Sequence, residues 1–177
     1  HGTTLATNAI IERKGALTAL IATEGFRDTI DIAYESRYDQ YDIFIEKPPA
    51  LVPRWRRFTV PERVDVKGRV RLPLDLAAVE ALVAPLAEHG IESVAVALMH
   101  SYADPAHEEA IRQVLNRRLP DLWVTLSSEV CPEIREYERT STAVINAYVG
   151  PPVATYIAGL ARGLAERGVP GRLLIMQ

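Results

Sequence analysis

The sequence predicts an α/β fold built on a mixed, mostly parallel sheet with helices on its faces. Three observations carry this expectation. From Asp75 onward, amphipathic stretches alternate with short apolar runs at close spacing, as in strands joined by helical crossovers. Apolar residues make up 48% of the 177, enough for a packed core. Gly and Pro fall between the periodic stretches rather than inside most of them.

Taken in order, Thr3 to Arg13 reads as a short helix stopped by Gly15. Leu17 to Ala22 is an apolar run of strand length, and Thr23-Glu24-Gly25 turns the chain. Residues 26–32 fit either a helix or irregular backbone. Residues 34–72 form a Tyr- and Pro-rich excursion followed by a hairpin. Its paired prolines, Pro48 and Pro49, exclude regular helix and central strand, and Phe58 to Asp65 and Arg69 to Leu72 read as strands joined across Lys67-Gly68. Asp75 to Glu88 is an amphipathic helix ended by His89-Gly90, with Pro85 expected to bend its last turn. Ser93 to Met99 is a buried strand. Asp104 and Pro105 open a helix to Arg118. Leu122 to Leu126 is a strand, Glu133 to Tyr148 a helix, and Pro151 or Pro152 starts another that ends near Gly168. Arg172 to Met176 is expected to be a final strand. Both ends read as cuts through a larger fold, so that 1–177 is one region truncated at each end.

Composition narrows the function classes. Twenty Lys and Arg against 23 Asp and Glu give no electrostatic reason to expect nucleic acid or an anionic membrane as partner. The single cysteine, Cys131, rules out an intrachain disulfide and suits a reducing compartment, so a cytoplasmic location is expected. No apolar run of about 20 residues stands out as a membrane span.

The chemistry-bearing residues begin at the first position. In His1-Gly2-Thr3-Thr4-Leu5-Ala6-Thr7-Asn8 a glycine permits close approach, and hydroxyls stand beside backbone N–H groups at a helix start. That pattern fits a plain helix cap or an anion site. His100, in His100-Ser101-Tyr102, directly follows a buried strand, where ligands of open parallel sheets sit. It suits an acid–base group, a ligand or a structural histidine. Arg135, Arg139, Thr142 and Asn146 are spaced to share one helix face, which is either a cleft lining or a salt-bridged surface. His100 and His107 make no recognised metal spacing, and no metal site held wholly by this chain is expected. Cys131 reads as a packed side chain.

These strings occur together in one known family. His1-Gly2-Thr3-Thr4-Leu5-Ala6-Thr7-Asn8-Ala9, Glu12-Arg13-Lys14-Gly15, Thr23-Glu24-Gly25-Phe26-Arg27-Asp28, Glu46-Lys47-Pro48 and Val60-Pro61-Glu62-Arg63 resemble the hydantoinase/oxoprolinase family. His100-Ser101-Tyr102, Ser127-Ser128-Glu129 and the run from Pro132 to Thr142 continue the likeness along nearly the whole chain. The resemblance implies an actin/Hsp70/sugar-kinase-like (ribonuclease H-like) fold. It implies an ATP-dependent hydrolase that opens cyclic amides of hydantoin or 5-oxoproline type through a phosphorylated intermediate. The alternatives are the nucleotide-binding subunit of a ketone carboxylase, or a non-catalytic fragment. ATP and Mg2+ are the implied cofactors, and the remainder of the polypeptide and a hydantoinase B-type subunit the implied partners. His1, Thr3, Thr4 and Arg139 become candidate catalytic residues, and Gly2, Thr7, Asn8, His100, Arg135 and Asn146 candidates for holding substrate or phosphate. The family's Asp-Gly-Gly-Thr loop and second Gly-rich turn do not occur in the chain, so the isolated chain is expected to be inactive.

Overall fold

A computed structural model describes residues 4–36, 39–169, 171 and 173–175. Helix α1 (Leu5–Ile11) leads into strand β1 (Thr18–Thr23), followed by the single turn α2 (Thr29–Ile32). A 3-10 turn (Arg54–Arg56) precedes β2 (Arg57–Val60), and β3 (Arg63–Val64) and β4 (Val70–Leu72) follow. Then come α3 (Leu76–Ala81), α4 (Val83–Glu88), β5 (Ser93–Ala97), α5 (Ala106–Arg118), β6 (Trp123–Leu126), α6 (Ser127–Val130) and α7 (Glu136–Glu166).

The main sheet has the order β2-β1-β5-β6, and each of its pairings is parallel. The alternation of side chains along a strand sorts its residues onto two faces. Ala19, Ile21, Val94 and Val96 join Val79, Leu86, Ile111 and Leu115 in a core under α3, α4 and α5. Leu20, Ala22, Ala95 and Ala97 face Ala143, Val144 and Ala147 of α7. The alanines on this second face bring the helix close to the sheet.

Several expected elements are redrawn, each for a visible reason. The segment Phe58 to Asp65 is not one strand: β2 joins the parallel sheet, while β3 pairs antiparallel with β4 around Gly68, whose φ is 75°. The helix expected from Asp75 is capped by that residue, its carboxylate accepting from Ala77 and Ala78 N–H, but it divides at Leu82. Pro85 has no N–H for the Ala81 carbonyl, so it takes a place in the first turn of a new helix instead of bending the last turn of an old one. Helix α1 ends on Arg13, not on a glycine cap. Arg13 has a φ of 56°, Lys14 N–H reaches the Ala9 carbonyl and Arg13 N–H the Ile10 carbonyl, which is the Schellman pattern. Gly15 serves packing: a Cβ there would lie 2.1 Å from the Tyr148 ring.

The two helices expected around Pro151 and Pro152 are one, α7, with both prolines inside it. Pro152 leaves the Tyr148 carbonyl without its helical donor, and Ala16 N–H occupies it at 2.9 Å. Among the described residues α7 is the helix long and apolar enough to cross a membrane, a length hidden when the sequence is divided at the prolines. Its first half is already committed to the sheet through Ala143, Val144 and Ala147. Residues 173–175 are not in a strand. The rest of the expected final strand, Arg172 and Met176, lies outside the described residues.

Candidate active site

Strands β1, β2, β5 and β6 are parallel, so Thr23, Val60, Ala97 and Leu126 end at one edge of the sheet. Ligands of open parallel sheets bind outside this carboxyl edge. Buried charged side chains also gather there. Glu62 is 2% exposed, Glu108 0% and Arg139 1%. Burial without partners would be costly for each of these charges, and the partners locate the site.

Glu108 enters from the first turn of α5. One carboxylate oxygen accepts Leu98 N–H at 2.9 Å and the Ser127 hydroxyl at 2.7 Å. The other accepts Ser128 N–H at 2.9 Å and its hydroxyl at 2.7 Å. Four donors on one carboxylate satisfy most of its acceptor capacity. Since the Ser127 proton is committed to Glu108, the Ser101 hydroxyl, 3.1 Å away, is the donor between the two serines. The neighbouring residue, His107, donates from Nδ1 to Glu62 at 2.8 Å. The other Glu62 oxygen accepts the Thr23 hydroxyl, whose oxygen in turn accepts Met99 N–H at 2.9 Å.

Arg139 reaches the same place from α7. Its two terminal nitrogens donate to the carbonyls of Glu133 at 2.7 Å and Leu98 at 2.9 Å. Its Nε is buried and has no hydrogen-bond partner. The guanidinium lies 5.4 Å from the centre of the Tyr102 ring, and that ring meets the His100 imidazole edge-on at 5.8 Å. His100 stands among these groups, half-buried, with a φ of 55°. A non-glycine residue in that region is uncommon and costs energy, so the surroundings must hold it there.

The remaining candidates are dispersed. His1, Gly2 and Thr3 lie outside the described residues. Thr4 stands at the N-cap position of α1 but caps nothing with its side chain; its hydroxyl accepts the Asn8 amide at 3.3 Å. Thr7 and Asn8 are exposed on the same helix, and no hydrogen bond among the described residues joins them to the carboxyl-edge cluster. The polar stripe on α7 does not face one cleft. Arg139 turns inward with Thr140, Ala143, Val144, Ala147 and Tyr148, while Thr142 and Asn146 are exposed. Arg139 lies at the border of stripe and buried face, and its long side chain reaches inward from there. Asn146 accepts the Thr125 hydroxyl at 3.2 Å and so ties α7 to β6. Arg135 is exposed and reaches Glu138 at 3.3 Å. Desolvation pushes the Glu138 carboxyl up, but hydrogen bonds from its own backbone N–H, the Tyr34 hydroxyl and Arg135 outweigh it and hold the carboxyl below the usual range.

Glu62, His107 and Glu108 are not among the site residues picked out from the sequence, although Glu62 lies in the string Val60-Pro61-Glu62-Arg63. A signal for Glu108 exists: it shares the apolar stripe of α5 with Ile111 and Leu115, at helical spacing. A carboxylate on such a stripe has to find donors in the core.

No group of three His, Cys, Asp or Glu side chains among the described residues is arranged to hold a metal ion. In the carboxyl-edge cluster the Arg139 terminal nitrogens are spent on carbonyls, and the buried carboxylates would repel a polyphosphate. A cleft of about 680 Å3 opens at the opposite, amino edge, beside Lys14, Glu92, Arg118, Asp121, Trp123 and Pro152.

Residues 1–119 match the hydantoinase/oxoprolinase N-terminal region. The chain belongs to the hydantoinase/oxoprolinase family. It is 38% identical to caprolactamase subunit alpha of Pseudomonas jessenii, over 95% of this chain and 24% of that one. It is 36% identical to 5-oxoprolinase 1 of Arabidopsis thaliana, over 89% of this chain and 14% of that one. Among solved structures, the ATP-dependent caprolactamase from Pseudomonas jessenii superposes with a TM-score of 0.88 at 34% identity, covering 98% of this chain and 25% of that one. A nucleotide-free acetone carboxylase shares the fold, with a TM-score of 0.84 at 24% identity over 97% of this chain and 26% of its own. The chain therefore spans about a quarter or less of these relatives, and the hydantoinase/oxoprolinase-type α/β architecture expected from its motifs is what it adopts.

Proposed function

We propose that this chain forms part of an ATP-dependent enzyme that opens a cyclic amide, with lactams, 5-oxoproline and hydantoins as the substrate class. The observation that carries the proposal is the likeness to the ATP-dependent caprolactamase over almost the whole chain. ATP, with Mg2+, would supply the phosphoryl group that makes an unreactive amide carbonyl electrophilic. On this proposal His1-Gly2-Thr3 form one wall of the nucleotide site, and regions outside this chain complete it. In this reading Thr4, Thr7 and Asn8 continue that wall. His100 is the substrate-facing group of the carboxyl edge, and Arg135, at the start of α7, and Asn146, within it, are further groups for substrate or phosphate. A partner subunit is part of the proposal, because the caprolactamase relative is itself a subunit. The cytoplasm is the proposed compartment, on the strength of a single unpaired cysteine.

The test uses the full-length protein with its partner subunit. ADP release is measured with caprolactam, 5-oxoproline and hydantoin, and separately with acetone or acetophenone plus bicarbonate. The expected result is ADP release matched by ring-opened product for at least one cyclic amide. Release with a ketone and bicarbonate alone would replace this reading with the carboxylase one.

A further inference from the structure

The structure assigns Glu108 and Arg139 a joint role: they are positioning residues that act on one residue, Leu98, and through it fix the turn that presents His100. This inference rests on the reading of the carboxyl edge as the active site. It treats Arg139 as a group that acts through other residues.

The β1–β5 ladder ends at Ala97, so the peptide groups of Leu98 leave the regular hydrogen bonding of the sheet. Both are taken over by charged side chains. The Glu108 carboxylate holds Leu98 N–H and an Arg139 nitrogen holds the Leu98 carbonyl. Leu98 is itself 1% exposed. A buried anion and a buried cation thus hold the two peptide groups of one residue, each charge being compensated by its own hydrogen bonds. Hydrogen bonds to charged groups are also the stronger kind, so the grip is firm.

The same two side chains reach the following residues. Glu108 holds Ser127, and Ser127 accepts from Ser101. Arg139 lies against the Tyr102 ring. Met99 N–H is held separately by Thr23, which leans on Glu62 and His107. So 98, 99, 101 and 102 are each fixed from outside the turn. His100 differs: its carbonyl accepts Ala103 N–H at 2.9 Å and Asp104 N–H at 3.4 Å, and among the described residues its ring meets that of Tyr102, another member of the turn, with the hydroxyl 3.4 Å from Nδ1. Its backbone is forced to a φ of 55°. Four residues are restrained so that the fifth, which pays the conformational cost, keeps its imidazole at the sheet edge. A turn needed only to connect β5 to α5 would have no use for this cost, since glycine at position 100 would avoid it.

The experiment compares Arg139→Lys, Glu108→Gln and the double variant in the full-length protein with its partner subunit. Lysine keeps the charge but cannot span the Glu133 and Leu98 carbonyls; glutamine keeps the shape but loses the charge. Two quantities are read. Backbone amide exchange across 98–103 is measured without substrate, and kcat and KM are measured for ATP and for the cyclic amide that turns over. The expected result is exchange at least 10-fold faster across 98–103 in either single variant, with protection in β1 and β6 unchanged. In parallel kcat falls about 10- to 100-fold with KM for ATP within about 2-fold. Because the two side chains act on one residue, the double variant should lose little more than the worse single one. Multiplicative losses would overturn the joint role. Unchanged exchange at 98–103, or faster exchange with kcat intact, would overturn the positioning role. The exchange arm needs no substrate, so it stands even if no cyclic amide is turned over. In that case the functional reading fails while the grip on the turn is still decided.

Discussion

At the scale of single residues, His100 shows how conformation and chemistry pull apart. Its left-handed backbone costs on the order of 1 kcal/mol relative to glycine, and its imidazole contributes little packing beyond the Tyr102 contact. His100→Gly therefore separates the two. Stability in urea should stay within about 1 kcal/mol of the parent, because relief of the backbone offsets the lost ring contact and the extra freedom of the unfolded glycine. On the proposed function, turnover by the full-length protein should fall by about 100-fold, the typical size of a lost acid–base or substrate-orienting group. Full activity in a stable His100→Gly variant would remove His100 from the site. Arg13 occupies the same region of backbone with a φ of 56°, but it ends a helix, where a left-handed residue closes a Schellman motif. The two differ in setting: Arg13 closes a helix, whereas His100 sits in the turn after β5, where its carbonyl accepts Ala103 and Asp104 N–H.

At the scale of elements, the sequence is legible wherever one hydrophobic period dominates. β1, β5 and β6 are short apolar runs, and α5 is opened by Asp104, which accepts Ala106 N–H at 3.0 Å. Such elements are set by local pattern. Legibility fails where a tertiary partner replaces a local bond. Two consecutive prolines read as the start of a helix, yet α7 passes through them because Ala16, over 130 positions away in sequence, supplies the hydrogen bond that Pro152 cannot. The same junction explains Gly15, which looks like a helix cap in sequence and is in fact the contact surface for Tyr148. Gly15→Ala would drive its Cβ into a buried ring, since Tyr148 is 7% exposed. The expected cost is about 1–3 kcal/mol of overpacking, measured by urea unfolding. Gly163→Ala, on the open outer side of α7 with nothing within 4 Å of the added carbon, should instead be neutral or stabilising by up to about 1 kcal/mol. If both substitutions behave alike, the close approach of α7 to the start of β1 is not what fixes Gly15. The polar carboxyl edge was only half legible for a related reason. His100 could be picked out because it follows a strand, while Glu62, His107 and Glu108 are functional candidates only once their burial and donors are seen.

At the scale of the whole molecule, the two edges of the sheet differ in kind. The carboxyl edge holds buried charges in satisfied networks, and the amino edge holds an open cleft bordered by Pro151, Pro152 and Trp123. At the carboxyl edge the Arg139 terminal nitrogens are spent on carbonyls, at the amino edge Lys14 and Arg118 are interspersed with Glu92 and Asp121, and the family relatives are about four or more times longer than this chain. On the proposed reading, other parts of the full-length protein complete the nucleotide site. The consequence is a clean separation of folding from binding. With a parallel sheet covered on both faces and a core on each, residues 1–177 have what a cooperative unfolding transition requires. The same residues, purified alone, should show no heat of ATP binding by titration calorimetry at about 1 mM nucleotide and no ADP release with any cyclic amide. Residual binding weaker than about 1 mM corresponds to less than about 4 kcal/mol, which a stray anion contact at Thr4 and Asn8 could supply. Micromolar ATP binding by the isolated chain, abolished by Thr4→Val, would mean that His1-Gly2-Thr3-Thr4 forms a complete phosphate site by itself, and the division of the active site argued here would be wrong.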